Sequence, residues 1–224
     1  ALGNIVGSNI ANLFLILGMS ALITPIIVNR NAVLRDGLVL AGASLLLTLF
    51  VALGEITRWQ GAIMFVLLGT VIVYSYWSER RQISPSGKHY LREEAEVQDL
   101  PHSIVVALMF ILAGLAGVAF GAHILVEASV VVARSIGMSE AVIGLTVVAV
   151  GSSLPELATS IVAAYRKHSG VALGNIVGSS VFNILGILGL VAVIYPISVP
   201  EEIAVLDIWI MLGVTALVLM PIFA

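Results

Sequence analysis

The chain has 224 residues, 60% of them hydrophobic and only 10% charged, with a mean hydropathy of +1.13 and a formal net charge of −3. A soluble domain carries roughly 25% charged and about 45–50% apolar residues, so this composition excludes a soluble globular module and predicts an all-α polytopic membrane protein. There are no cysteines, which excludes a disulfide framework and any thiolate metal site.

Seven apolar runs follow in order, near 2–27, 33–53, 59–77, 103–126, 140–164, 172–195 and 204–223. Each approaches the roughly 20 residues needed to cross a bilayer core. Each must be helical, because in lipid every backbone polar group is satisfied within its own segment. No charged stretch precedes the first run, so that run does not read as a signal peptide. Trp59, Tyr74, Tyr76 and Trp77 stand at the ends of the third run, where an aromatic belt is expected. The stretch 78–102, SERRQISPSGKHYLREEAEVQDLPH, holds four of the ten Lys/Arg and five of the thirteen acids. It reads as a solvated linker, too short for a regulatory domain. His123 and Glu127 lie four apart at the expected outer end of the fourth run, as an interfacial pair. Asp36 and Asp207 open their runs, where capping or the helix dipole accounts for them.

Successive connections alternate between the two faces of the membrane. One face receives Arg30, Arg35, Arg80, Arg81, Lys88, Arg92, Arg166 and Lys167; the other receives only Arg58 and Arg134. Eight against two is a positive-inside bias that makes the first face, with the linker, cytoplasmic.

A repeat organises the chain. ALGNIVGSNIANLFLILGMSALITPI (1–26) aligns without gaps on ALGNIVGSSVFNILGILGLVAVIYPI (172–197), with 16 identities in 26. The register continues to Asp36 with Asp207 and Gly42 with Gly213. The offset of 171 residues passes five spans, so the second copy enters the membrane from the opposite side. Such inverted-topology repeats build secondary transporters with the substrate site near the midplane between the halves. The same arithmetic predicts ten spans in two sets of five, with about 70 residues before Ala1 and roughly 25–30 after Ala224.

Within the repeated phrase, Ser8 and Asn12 are four apart and share a helical face, and Ser179 and Asn183 repeat the pair. Gly3 and Gly7, like Gly174 and Gly178, form G-x-x-x-G, which is expected to press the helix against a neighbour. The fifth run, GLTVVAVGSSLPELATSIVAA (144–164), carries Pro155 near its middle. Proline removes the bond to the Gly151 carbonyl and its ring clashes there, so the helix should kink or unwind. Irregular backbone at that depth is tolerated only where it is buried in protein or lines a cavity. Glu156 follows directly. An acid at mid-membrane costs on the order of 3 kcal/mol on insertion scales, which makes it a functional candidate. Ser152 and Ser153 precede it by four and three residues and share its face. A carboxylate, two hydroxyls, freed carbonyls and the amides of Asn12 and Asn183 make an all-oxygen set, suited to Ca²⁺ rather than to a soft metal.

GSSLPELATSIVAA followed by ALGNIVGSSVFNILGILG resembles the second α-repeat of the sodium/calcium exchanger family, within the wider cation/calcium antiporter superfamily. ALGNIVGSNIANLFLILG is similar to the second helix of the first α-repeat, and the lengths look like those of bacterial and archaeal members. The resemblance implies an inverted-repeat transporter with seven of ten transmembrane helices in this chain. It divides the chain into 1–77, three spans of the first repeat; 78–102, the cytoplasmic linker; and 103–224, the second repeat without its last span. It implies Na⁺ exchanged for Ca²⁺ by alternating access. By the same resemblance Glu156 is one of two central acidic ligands, with Ser152 and Ser153 as hydroxyl ligands and the backbone of Ala149 as a Na⁺-site carbonyl. Ser8 and Ser179 contribute hydroxyls, and Asn12 and Asn183 face the ions. The family often has Thr where Ser152 stands, and some members carry Asp where Asn183 stands. The partner acid is expected before Ala1, so this polypeptide alone is expected not to transport.

The substrates expected are Ca²⁺ and Na⁺, in a plasma (inner) membrane, with no cofactor, nucleic acid or obligate protein partner indicated. One alternative on the same scaffold is an H⁺- or K⁺-coupled exchanger. A second is an intramembrane serine hydrolase using Ser152 or Ser153, which needs a base within hydrogen-bond reach. A third is a purely structural membrane module.

Overall fold

The computed structural model describes residues 2–25, 30–81, 103–138 and 140–223. Most of the linker (82–102) lies outside them, as do 1, 26–29, 139 and 224. The described elements are α1 (Leu2–Ile23), α2 (Arg30–Ala52), β1 (Glu55–Ile56), α3 (Arg58–Arg81), α4 (Ile104–Ser135), α5 (140–152), α6 (Leu154–Tyr165), α7 (Ser169–Ile194), β2 (Ile197–Ser198) and α8 (203–223). Six helices are long and apolar enough to span, and α5 with α6 makes a seventh, bent by 50°. The helices thus match the seven predicted runs.

The ends differ in instructive ways. α1 stops at Ile23 rather than 27, with Thr24 extended at φ −148°, ψ 138°. Pro25 disfavours helical geometry in the residue before it. α3 runs through Arg81, so the first residues assigned to the linker are helical. α4 continues to Ser135, well past the expected 126, for 32 residues. Its C-terminus is a Schellman closure: Met138 N donates to Ala133 O at 3.1 Å and Gly137 N to Arg134 O at 3.0 Å. Gly137 takes the left-handed conformation (φ 83°) that this closure needs. At about 48 Å, α4 exceeds a hydrocarbon core of about 30 Å and must tilt or project. His123 and Glu127 therefore sit within α4 and not at its end; they are exposed, 3.7 Å apart. Asp36 and Asp207 do not cap their helices either, since neither falls in the first turn. Asp36 accepts from Arg35 Nε at 2.7 Å.

The two copies of the repeat form the centre. In their most apolar stretches, 44% of the residues of α1 and 56% of α7 are buried, against none in α4. α2 packs on α8, its twin under the repeat, and α3 packs along the C-terminal half of α7. Val6, Leu13, Ile16, Leu40, Leu47, Met64, Ile176, Ile184, Leu188, Ile208 and Met211 fill the shared core. Helix backbones approach closely at Gly61 and Gly189, where a Cβ on Gly61 would stand 2.6 Å from the Gly189 carbonyl. Two of the four glycines predicted to do this, Gly174 and Gly178, do not. A Cβ there meets nothing within 4 Å, and both border a crevice of about 340 Å³ beside Arg35, Asp36 and Phe182.

Two contacts agree with the alternation of connections. Glu55 pairs with Ser198 and Ile56 with Ile197 in an antiparallel bridge, which puts the connections after α2 and α7 on one face. Ser169 Oγ donates to Pro25 O at 3.4 Å, which puts those after α1 and before α7 on the other.

Candidate cation site

π-helical turns interrupt the twins at the same place, Ala11–Ile16 in α1 and Phe182–Leu188 in α7. Such turns occur inside α-helices mostly as single bulges, frequently at functional sites. Here they begin where the Ser/Asn faces meet. Asn12, fully buried, donates Nδ2 to Ser179 Oγ at 3.1 Å. Asn183 donates Nδ2 to Ser8 Oγ at 3.3 Å. The two contacts are images of each other under the repeat.

The serines fix which way the amides point. Ser8 Oγ donates its one proton to Ile5 O, and Ser179 Oγ to Ile176 O, each at 3.1 Å. Each hydroxyl can then only accept, so its asparagine must present Nδ2 and turn Oδ1 away. Asn12 Oδ1 is buried with no hydrogen-bond partner.

The break between α5 and α6 falls at Ser153, in the bridge region at φ −95°, ψ 3°, two residues before Pro155. This region is sparsely populated and recurs at active sites. Ser153, 2% exposed, donates to Ser8 O at 3.4 Å. Ser152 Oγ lies 2.8 Å from Ala149 O and 3.4 Å from Asn4 Oδ1. The Ala149 carbonyl thus accepts the Ser152 hydroxyl. Glu156 stands in the first turn of α6, and its Oε2 is buried with no hydrogen-bond partner.

The hydrogen bonds join α5 to α1, α1 to α7 and α7 to α6, so the helices that carry the eight predicted residues are tied together. Three further asparagines complete it. Asn4 Oδ1 lies 3.4 Å from Ser152 Oγ, and Asn9 accepts from Asn183 at 3.3 Å. Asn175 Nδ2 lies within hydrogen-bond distance of Glu156 O (3.2 Å), Thr159 Oγ1 (2.8 Å) and Ser160 Oγ (3.0 Å), sharing its two hydrogens among them and tying down the first turns of α6. Asn4 and Asn175 were recoverable, since both copies read Gly-Asn-Ile-Val-Gly-Ser. Asn9 has Ser180 as its twin and carries no such signal.

Among the described residues no three His, Cys, Asp or Glu side chains gather. The site therefore offers one carboxylate and several neutral oxygens, with no soft ligand. A buried carboxylate oxygen and a buried amide oxygen, both without donors, are unfavourable alone and suit a hard cation. The hydroxyls of Ser152 and Ser153 bond to carbonyl and amide oxygens, none of which is a base.

Known proteins resemble this chain in sequence and fold. A family model described as sodium/calcium exchanger protein matches residues 1–77 and 106–224. CaxA of Alkalimonas amylolytica is 37% identical over 98% of this chain and 69% of its own length. The sodium/calcium exchanger MaX1 of Methanosarcina acetivorans is 29% identical over 89% of this chain and 66% of its own. The solved sodium/calcium exchanger from Methanococcus jannaschii superposes with a TM-score of 0.70 at 30% identity, covering 97% of this chain and 66% of that one. The chain thus spans about two thirds of the length of these relatives. Over a shorter stretch, 28% of this chain and 9% of the relative, human sodium/potassium/calcium exchanger 2 is 47% identical.

Proposed function

This chain belongs to the sodium/calcium exchanger protein family, and from that premise we propose that it is the greater part of an antiporter exchanging Na⁺ for Ca²⁺ by alternating access. The observation that carries the reading is the orphaned, buried Oε2 of Glu156, on a helix that Asn175 ties to α7, while α7 and α1 make the reciprocal Asn12–Ser179 and Asn183–Ser8 contacts. Glu156, Ser152, Ser153, Ser8, Ser179, Asn12, Asn183 and the Ala149 carbonyl are the proposed ligand oxygens. A divalent ion needs about two negative charges, so the other is assigned to the first repeat's acidic helix. One acidic site taken by Ca²⁺ or by Na⁺, never both, gives exchange rather than conduction. By exchanging conformations across the pseudo-two-fold axis, the inverted halves open the site to either face in turn.

The positive-inside bias supports a cytoplasmic position for the 78–102 linker, and a plasma (inner) membrane fits the bacterial and archaeal relatives. Potassium co-transport is a second reading, favoured by the short, strong likeness to sodium/potassium/calcium exchanger 2.

The test is calcium-45 uptake into sodium-loaded vesicles bearing the full-length protein, with and without Glu156→Gln. Uptake should require the outward sodium gradient and disappear in the variant. A requirement for potassium would select the second reading, and uptake indifferent to the variant would overturn the site.

A further inference from the structure

We propose that Asn9 is a positioning residue: it fixes the amide of Asn183 so that the Asn183 carbonyl oxygen faces the cation. The inference rests on the exchanger reading above and assigns a role to a residue outside the ligand set.

The argument starts from a group that can only accept. Asn9 is fully buried, and its Nδ2 lies 3.4 Å from the backbone carbonyl of Ser180 and 3.9 Å from Met211 Sδ. A flipped Asn9 amide would set two acceptors against each other at Ser180 O. Nδ2 therefore faces Ser180, and Oδ1 faces Asn183. Asn183 must answer with Nδ2, at 3.3 Å. Its second amide hydrogen goes to Ser8 Oγ, also at 3.3 Å, and Ser8 is itself fixed as an acceptor by its bond to Ile5 O. Both hydrogens of Asn183 are thus held by independently oriented partners, and its carbonyl oxygen is the atom left for an ion.

The twin half lacks this device. Among the described residues Asn12 is held by Ser179 Oγ alone. The residue equivalent to Asn9 is Ser180, whose hydroxyl is buried with no partner. The two halves therefore present their amide oxygens with different rigidity, and the difference resides in one position. Partners that orient a metal's ligands typically change metal affinity by about 10–100-fold when removed.

The experiment is calcium-45 equilibrium binding to the purified full-length protein, in competition with sodium. The variants are Asn9→Leu and Asn9→Ser, each alone and combined with Asn183→Ala or Asn12→Ala. Two variants are used so that a folding failure of one, seen in its melting profile, leaves the other. Each Asn9 change should weaken calcium binding roughly tenfold. That loss should vanish in the Asn183→Ala background and persist in the Asn12→Ala background. Unchanged affinity in folded protein, or an equal loss in both backgrounds, would overturn the positioning role and leave the exchanger reading intact. Calcium binding that is absent in the parent, or that survives Glu156→Gln, would remove the exchanger reading and the positioning role with it.

Discussion

The amide of Asn12 donates to the hydroxyl of Ser179 at 3.1 Å, and an offset of 171 residues turns this contact into Asn183 donating to Ser8 at 3.3 Å. Two residues at one helical spacing therefore bond across the pseudo-two-fold axis and not within their own copy. The contacts are not equal in what they protect. Asn12 is fully buried and has no other donor contact among the described residues, whereas Asn183 also reaches Asn9. Ser179→Ala leaves a buried amide unpaired and should destabilise the protein by about 1–3 kcal/mol. Ser8→Ala should destabilise it less. Melting of the two variants in detergent gives the order, and an equal or reversed order would contradict the network.

Glu156 invites a prediction whose sign depends on the ion. A carboxylate with a buried, unpartnered oxygen is unfavourable in the absence of a cation. In buffer free of sodium and calcium, Glu156→Gln should melt at or above the parent. Calcium should then raise the parent's melting temperature, by the equivalent of about 2.7 kcal/mol at a concentration a hundredfold above Kd. The variant should not respond. A variant that is less stable without ions, yet still stabilised by calcium, would mean that Glu156 serves packing.

Much of this was legible in the sequence because lipid makes polarity expensive. Ser8, Asn12, Ser179, Asn183 and Glu156 stood out against apolar runs, and Pro155 announced the break that the structure places at Ser153. The π turns were not legible, because their altered hydrogen-bond pattern has no residue signature. The length of α4 was misjudged because Glu127 reads as an end; with His123 it lies on an exposed face, and the true stop is Gly137. The glycine spacing also misled. G-x-x-x-G marks a smooth face without saying what lies against it, and the tight crossing belongs to Gly61 and Gly189.

Asn175 should act on Glu156 through the backbone. Its amide reaches three oxygens in the first turns of α6, among them the carbonyl of Glu156 itself. Asn175→Ala removes that tie and leaves Ser160, fully buried, without its donor. Amide hydrogen exchange across 156–160 should quicken, and calcium affinity should fall roughly tenfold, as for other groups that orient ligands. Faster exchange with unchanged affinity would confine Asn175 to holding the helix.

The glycine positions separate packing from propensity. A Cβ at Gly61 would lie 2.6 Å from Gly189 O and 2.8 Å from Val193 N, both rigid helix backbone. Gly61→Ala therefore forces α3 away from α7 and should destabilise by about 1–3 kcal/mol, the usual range for overpacking. Gly42 lies within α2, with nothing within 4 Å of an added Cβ. There the same substitution only restricts the unfolded chain and favours helix, and should stabilise by about 0.5–1 kcal/mol. The pair is measured by melting both variants under one condition, and opposite signs are expected. If Gly61→Ala were neutral, the α3–α7 crossing would not be the close approach described, and α3 would be free to shift against the π-turn half of α7. Because that half carries Asn183, loosening at Gly61 should also reach the site, lowering calcium affinity while the Gly42 variant keeps the parent's value.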